Sequence, residues 1–405
     1  MKTLRFNGKI TYQFFFYAAF FVFIVHRILW QSLYTTILPA RVFHLMDYLC
    51  MLFVVARILL LGNRFRKREL AIYAVFVIFA LLVVRAGYSS RYLTMFLLII
   101  AAKDIDFEQT IKVSLCATTL ALLAVLLGCK LGILQDLTWS RYFFGKQAHA
   151  LGFTYYSYPA TYVFSVSCMY LYLRRKKYTL LELVVLFALQ YYVYSYSSSR
   201  LYVYAFAALV IMCVLYKHHI LKFEKKIWTY ILFAMFPFFQ IAILVLTKLY
   251  ASGNRHLAAV DVVFSGRMAL MSTALEAYGI HFLPYYIKMV GGAENAGAAY
   301  FYIDSGYMYI ALCFGIVGII VVNGIYIALF RKCLKSEDKF LCIWLIVICV
   351  MCICNNFIFS LILNPITLLI PSIVKDWDVW ENERLGRKHN ERDKCKNNYR
   401  YGSPV

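Results

Sequence analysis

The chain predicts an all-α, polytopic integral membrane protein, and three observations predict it. Of 405 residues, 63% are hydrophobic and 15% charged, against roughly 45–50% apolar and about 25% charged in soluble domains. The apolar residues fall in runs near the ~20 residues that a helix needs to cross a bilayer. Basic residues cluster at alternate junctions between the runs, as the positive-inside rule expects.

Taken in order, the runs predict about twelve transmembrane helices, near 11–33, 42–62, 70–87, 91–103, 111–134, 154–173, 180–197, 201–217, 227–248, 303–330, 340–355 and 357–374. The fourth is short enough to be a half-span. The first lacks a small-residue cleavage site and reads as a span rather than a signal peptide. The basic junctions are Arg64 to Arg68, Lys103 and Lys112, Arg174 to Lys177, Lys217 to Lys226, Arg331 to Lys339, and the C-terminal tail. With Lys2, Arg5 and Lys9 they fall on one side, which places both termini in the cytoplasm. Residues 1–374 thus read as one membrane domain, and 375–405 as a polar cytoplasmic tail. These clusters explain the net charge of +22 and imply contact with anionic membrane lipids. No basic-aromatic surface for nucleic acid is present. The 12 cysteines lie mostly in apolar runs, where free buried thiols are expected rather than disulfides.

Two external segments interrupt the pattern, near 135–153 and 249–302. Loops of such length are usually functional or disordered. The second contains an amphipathic helix near Ser265–Tyr278, with Met268, Met271, Ala274, Leu275 and Tyr278 on its apolar face. That face suits the membrane surface.

The external side is poor in cations, so those it holds need a reason: Arg41, Arg91, Arg141, Lys146, Arg200, Arg255, Arg267 and Lys288. Arg200 follows Ser197-Ser198-Ser199 and opens span eight. A cation opposes the positive end of the helix dipole there, but an arginine beside free backbone N–H groups makes an anion site. Snorkelling to headgroups is the plainer alternative. Arg267 repeats the pattern after Ser265-Gly266, with Ser265 as the expected N-cap. Two such sites point to a substrate with two phosphates or other strong anions. Asp304 is placed either to cap span ten or to act as a carboxylate at the membrane boundary, with Tyr307 one turn on. His149 and His281 are candidate general bases. Neither has partners at metal-ligand spacing, so no metal is expected. No phosphate-cradling glycine loop and no serine-hydrolase elbow occurs. Asp47 and Arg57 in span two and Glu182 at the start of span seven are the intramembrane charges singled out, and Asp47 is read as an ion-pair partner of Arg27.

Several short motifs, in order, resemble the O-antigen polymerase (Wzy-type) family of bacterial polysaccharide polymerases. They are Arg141 followed by Leu151-Gly152-Phe153-Thr154-Tyr155-Tyr156-Ser157, then Ser199-Arg200, then Ser265-Gly266-Arg267, then Asp304-Ser305-Gly306-Tyr307 with Phe314-Gly315, and Asn364-Pro365. The match runs from about 90 to 365. It departs at Tyr155, Tyr156 and Ser157, where the family commonly has His, Pro and Asn.

The resemblance implies a glycosyltransferase of the bacterial plasma membrane. It would link oligosaccharide repeat units of O-antigen, capsule or exopolysaccharide, carried on undecaprenyl pyrophosphate, without cofactor or metal. Donor and acceptor would both be lipid-linked, and a flippase and a chain-length regulator are the expected partners. On this reading Arg200 and Arg267 hold the pyrophosphate, Asp304 orients or deprotonates the acceptor hydroxyl, and His149 is the second candidate base. Arg141, Gly152, Tyr307 and Arg255 are the expected substrate contacts. An O-antigen ligase shares the donor chemistry. A glycan transporter or flippase would favour charges deep in the spans and an internal repeat.

Overall fold

The computed structural model describes residues 8–61, 64–140, 147–291, 300–337 and 339–376. Arg141, Lys146 and nearly all of the expected tail lie outside these residues. The elements, in chain order, begin with α1 (Gly8–Trp30), a one-turn α2 (Tyr34–Ile37), α3 (Ala40–Leu61), α4 (Lys67–Arg85), α5 (Arg91–Ala101) and α6 (Phe107–Lys130). An antiparallel hairpin follows, β1 (Thr138–Ser140) with β2 (Gln147–His149). Then come α7 (Tyr158–Arg174), α8 (Leu180–Ser197), α9 (Arg200–Lys217), α10 (Lys226–Ala251), α11 (Arg255–Val263) and α12 (Arg267–Tyr278). The chain continues through α13 (Gly306–Tyr309), α14 (Gly315–Lys335) and α15 (Phe340–Met351).

Seven of these stretches are long and apolar enough to cross a membrane: those in α1, α3, α6, α8, α9 and α10, and the run from α13 through α14. The other expected spans fall short for separate reasons. α4 carries Lys67, Arg68, Glu69 and Arg85. α7 has 17 residues and α15 has 12. α5, with 11 residues, rises about 16 Å, roughly half the hydrocarbon thickness.

The expected twelfth span, 357–374, is not a continuous helix. It forms 3-10 turns at Phe357–Phe359 and Pro365–Leu369. Pro365 supplies no backbone donor, and Asn364 turns its amide inward to the Tyr326 hydroxyl, 3.0 Å away. Leu361, Ile362, Leu363 and Ile366 are buried, so protein rather than lipid surrounds this segment. Irregular backbone at membrane depth requires such cover.

Apolar packing between helices gains nothing from leaving lipid, so close van der Waals contact must hold the bundle. α1 packs on α3 and α6, α7 bridges α6 and α8, α9 joins α15, and α10 joins α14 and α12. Phe236 stacks on Tyr326 with centroids 4.0 Å apart. Phe314 is an aromatic hub, with Phe79, Tyr88, Tyr92, Tyr309 and Phe359 rings at 5.3–6.0 Å.

The predicted tenth span is broken at that hub. After α13 the chain makes one π-helical turn, Ile310–Phe314, and restarts at Gly315 with φ +68°. The segment 281–285 straps across the break. Ile316 and Val317 N–H donate to the carbonyls of His281 and Phe282 at 3.0 and 3.2 Å, and Tyr285 N–H donates to Cys313 at 3.0 Å. A break in a spanning helix is tolerated where neighbours satisfy the freed backbone groups in this way.

The predicted loop helix is present as α12. Its face of Met268, Met271 and Ala274 is buried in the protein, and α12 packs on α10 rather than leaving that face for lipid. At the other end of the bundle, Arg57 is fully buried and caps α5. Its Nε donates to the Ala101 carbonyl at 3.1 Å and its Nη2 to that of Lys103. Lys103 pairs with buried Glu69. These intramembrane charges thus serve helix ends.

Candidate functional site

A cavity of ≈ 980 Å³ opens among the starts of α5, α9 and α12 and the last turn of α1. Its charged lining is Arg27, Arg91, Arg200, Arg267 and Asp304. Twelve tyrosines share the wall with Gln31, Asn355 and Asn356. The buried Arg57, Lys103 and Glu69 group lies at the opposite end of α5.

Ser198 adopts a left-handed conformation (φ 52°), which ends α8 and turns the chain into α9 at Arg200. The Arg200 guanidinium reaches across to donate to the Ser265 hydroxyl at 3.4 Å. Two sequence-predicted arginine sites therefore meet on one cavity. Ser265 does not cap α12, as its position had implied. The N-cap is Gly266 (φ +78°), and no side chain at that position bonds the helix. Asp261 caps instead, accepting from Met268 N–H at 2.7 Å and Ala269 N–H at 3.2 Å. The protein's own carboxylate satisfies these orphan donors, so at Arg267 the side chain, not the helix end, is left to face a ligand.

Arg267 donates from Nε to Asp304 Oδ2 at 3.1 Å and from Nη1 to the Phe264 carbonyl at 3.1 Å. Asp304 caps nothing. The cap position belongs to Ser305, and Gly306 N–H donates to the carbonyls of Cys352 and Asn355. Burial pushes the Asp304 carboxyl above the usual carboxylate range, against the opposing pull of Arg267. Removal from water disfavours the charged form and makes a stronger base.

Other predicted residues stand elsewhere. Tyr307 is fully buried and donates to the Cys349 carbonyl at 2.8 Å. It packs on Phe236 at 4.8 Å and does not line the cavity. Because the helix starts at Gly306, Asp304 precedes it and the two share no helical face. Gly152 also serves the fold. It has φ +86°, its carbonyl accepts from Leu33 N–H at 2.9 Å, and a Cβ there would meet Cys129, Leu134 and the Val125 carbonyl at 3.0–3.1 Å. His149 is bound to Asp136 through Nδ1 at 2.7 Å and stands outside the cavity lining. His281 stacks on Tyr285 at 4.2 Å, also outside that lining. Arg255 opens α11, and Arg141 lies outside the described residues.

Asp47 pairs with His26, at 3.4 Å, rather than with Arg27. Arg27 instead joins the cavity, where sequence reasoning had not placed it. Its only sequence signal is an arginine within an apolar run. Among the described residues no group of His, Cys, Asp or Glu could hold a metal ion. Comparison with protein-family models, with curated proteins and with solved structures found no match to this chain.

Proposed function

We propose that this protein is a polysaccharide polymerase, joining undecaprenyl-pyrophosphate-linked oligosaccharide repeat units at the outer face of the plasma membrane. One observation carries the reading. Arg200 and Arg267, from separate parts of the chain, share a tyrosine-rich cavity with a partly buried Asp304, whose carboxyl is made more basic by that burial. The positive-inside rule makes the opposite, lysine- and arginine-rich end cytoplasmic, so the cavity faces outward.

The chemistry follows from those groups. Arg200 and Arg267 hold the pyrophosphate of the donor and stabilise the charge that grows on it as it leaves. Asp304 accepts the proton of the acceptor hydroxyl. That oxygen bonds to the anomeric carbon of the donor glycan as the carbon–pyrophosphate oxygen bond breaks, and the lipid pyrophosphate departs with the bonding pair. The tyrosines offer ring faces and hydroxyls to sugars.

The test is chain lengthening in cells carrying Arg200→Ala or Arg267→Ala, with membrane levels of the protein checked. Both variants are expected to accumulate single repeat units. Normal long chains in both would overturn the pyrophosphate assignment.

A further inference from the structure

We infer that α3 is the contact helix of a dimer, lying side by side in the bilayer with α3 of a second copy of this chain. α3 has 22 residues, a rise of about 33 Å against a hydrocarbon layer of about 30 Å, so it spans nearly end to end. It lies at the edge of the bundle, packed chiefly on α1 and α5. Its buried stripe is Phe43, Cys50, Val54, Arg57 and Leu61.

Beside that stripe, the outer half of α3 is polar where lipid would lie. Arg41, His44, Asp47 and Tyr48 are all exposed, Asp47 over 59% of its side chain and Tyr48 by 72%. Asp47 lies seven residues in from Ala40, about 10 Å along the helix. It is level with His26, one turn inside the interfacial Trp30. Its Oδ1 reaches His26 Nδ1 at 3.4 Å, and its Oδ2 has no partner among the described residues. The Tyr48 hydroxyl and the His44 ring have no hydrogen-bond partner among them either. Ionisable side chains at such depth almost always face protein rather than lipid.

This face supplies its own complement. His44, Tyr48, Met51, Val55 and Ile58 follow one another at spacings of four, three, four and three, the seam of a left-handed helix pair. Two copies in one membrane share the same sidedness, so a two-fold axis along the membrane normal brings their α3 helices together in parallel. In that packing Tyr48 is a knob, and its hole is built from His44, Asp47, Tyr48 and Met51 of the other copy. The phenol donates to the open Asp47 oxygen, and the symmetry repeats the contact. Deeper in the bilayer, Met51, Val55 and Ile58 meet their counterparts. A partner of unrelated sequence would have to bring its own donor to this depth, whereas this chain carries one on the same seam.

The test uses the full chain in cell membranes. With one fluorescent protein fused to each chain, wild type is expected to bleach mainly in two steps. Tyr48→Ala should weaken the pair about tenfold, the scale of one polar contact between helices in lipid, and shift the traces towards single steps. Tyr48 is exposed in the single chain, so this variant should keep the wild-type unfolding temperature. Oxidation of Tyr48→Cys should yield a cross-linked product of twice the chain's mass, above the background set by the native exposed Cys116. Ile241→Cys, exposed on α10, should not. Single-step bleaching of wild type overturns the inference. Two-step bleaching that Tyr48→Ala leaves unchanged, or cross-linking at position 241 and not at 48, also overturns it, because the contact would then lie elsewhere. A product of any other mass from Tyr48→Cys overturns it as well, since a different protein would then cover α3.

Discussion

At the scale of single residues, the pairing of Arg267 with Asp304 is the feature with the most chemical consequence. The pair holds a carboxylate in a partly desolvated position, where burial raises its pKa above that of an ordinary aspartate. A base of this kind works only when ionised. The rate of chain lengthening by purified protein should therefore fall as pH drops through that raised pKa, at higher pH than for an exposed aspartate, and level off above it. Asp304→Asn keeps the shape and can still accept from Arg267, but it takes no proton. It should lose on the order of 10²-fold or more in rate, with membrane level unchanged. Polymer of normal length and amount from Asp304→Asn would remove Asp304 as the base.

At the scale of elements, two local devices position the cavity. The first is the cap of α12. Asp261 holds the amides of Met268 and Ala269, which fixes the helix start and so aims Arg267. Asp261→Ala should lower stability by about 1–2 kcal/mol, the usual loss for a cap, read as an earlier thermal unfolding transition in detergent. The second is the strap over the broken span. A Cβ on Gly315 would lie 2.5 Å from the His281 carbonyl oxygen and 2.8 Å from that of Leu283, on a residue with φ +68°. Strain of that kind costs about 1–3 kcal/mol. Gly315→Ala should displace residues 281–285 and lower both stability and polymer yield. A Gly315→Ala protein that melts like wild type would show that the strap does not depend on this close approach.

At the scale of the whole molecule, the bundle sorts its charges by end. Ion pairs of Arg175 with Glu108, Lys375 with Asp104 and Lys332 with Asp376 gather with the basic junctions. Arg27, Arg91, Arg200 and Arg267 gather at the cavity. With the basic end inside, a cysteine introduced by Ser252→Cys, on an exposed loop between α10 and α11, should react with a membrane-impermeant thiol reagent in intact cells. One introduced by Glu337→Cys, between α14 and α15, should react only after the membrane is opened. The reverse pattern would put the cavity in the cytoplasm and end the polymerase reading.

Much of this architecture was legible in the sequence because bilayer thickness and loop charge impose one-dimensional patterns. Apolar run length located most helices, and the loop helix was expected within two residues of its observed start. Arg200 and Arg267 stood out in the sequence because each interrupts a side otherwise poor in cations, and Asp304 because it opens the tenth apolar run; the structure brings the three to one cavity. Arg27 was hidden, since hydropathy averages a lone arginine into its apolar run. Tyr307, Gly152 and His149 looked functional, yet they bond to Cys349, Leu33 and Asp136.

The sequence by itself determined a helical membrane protein with sided loops and a small set of candidate cations. Only the tertiary structure decided that 357–369 runs through 3-10 turns rather than one helix, that Asp261 rather than Ser265 caps α12, and that four arginines line one cavity. Hydropathy and charge along the chain report the solvent each segment meets. Which side chain fills which donor, and which charges share a space, depends on contacts between residues far apart in the chain, and these exist only once the helices have packed.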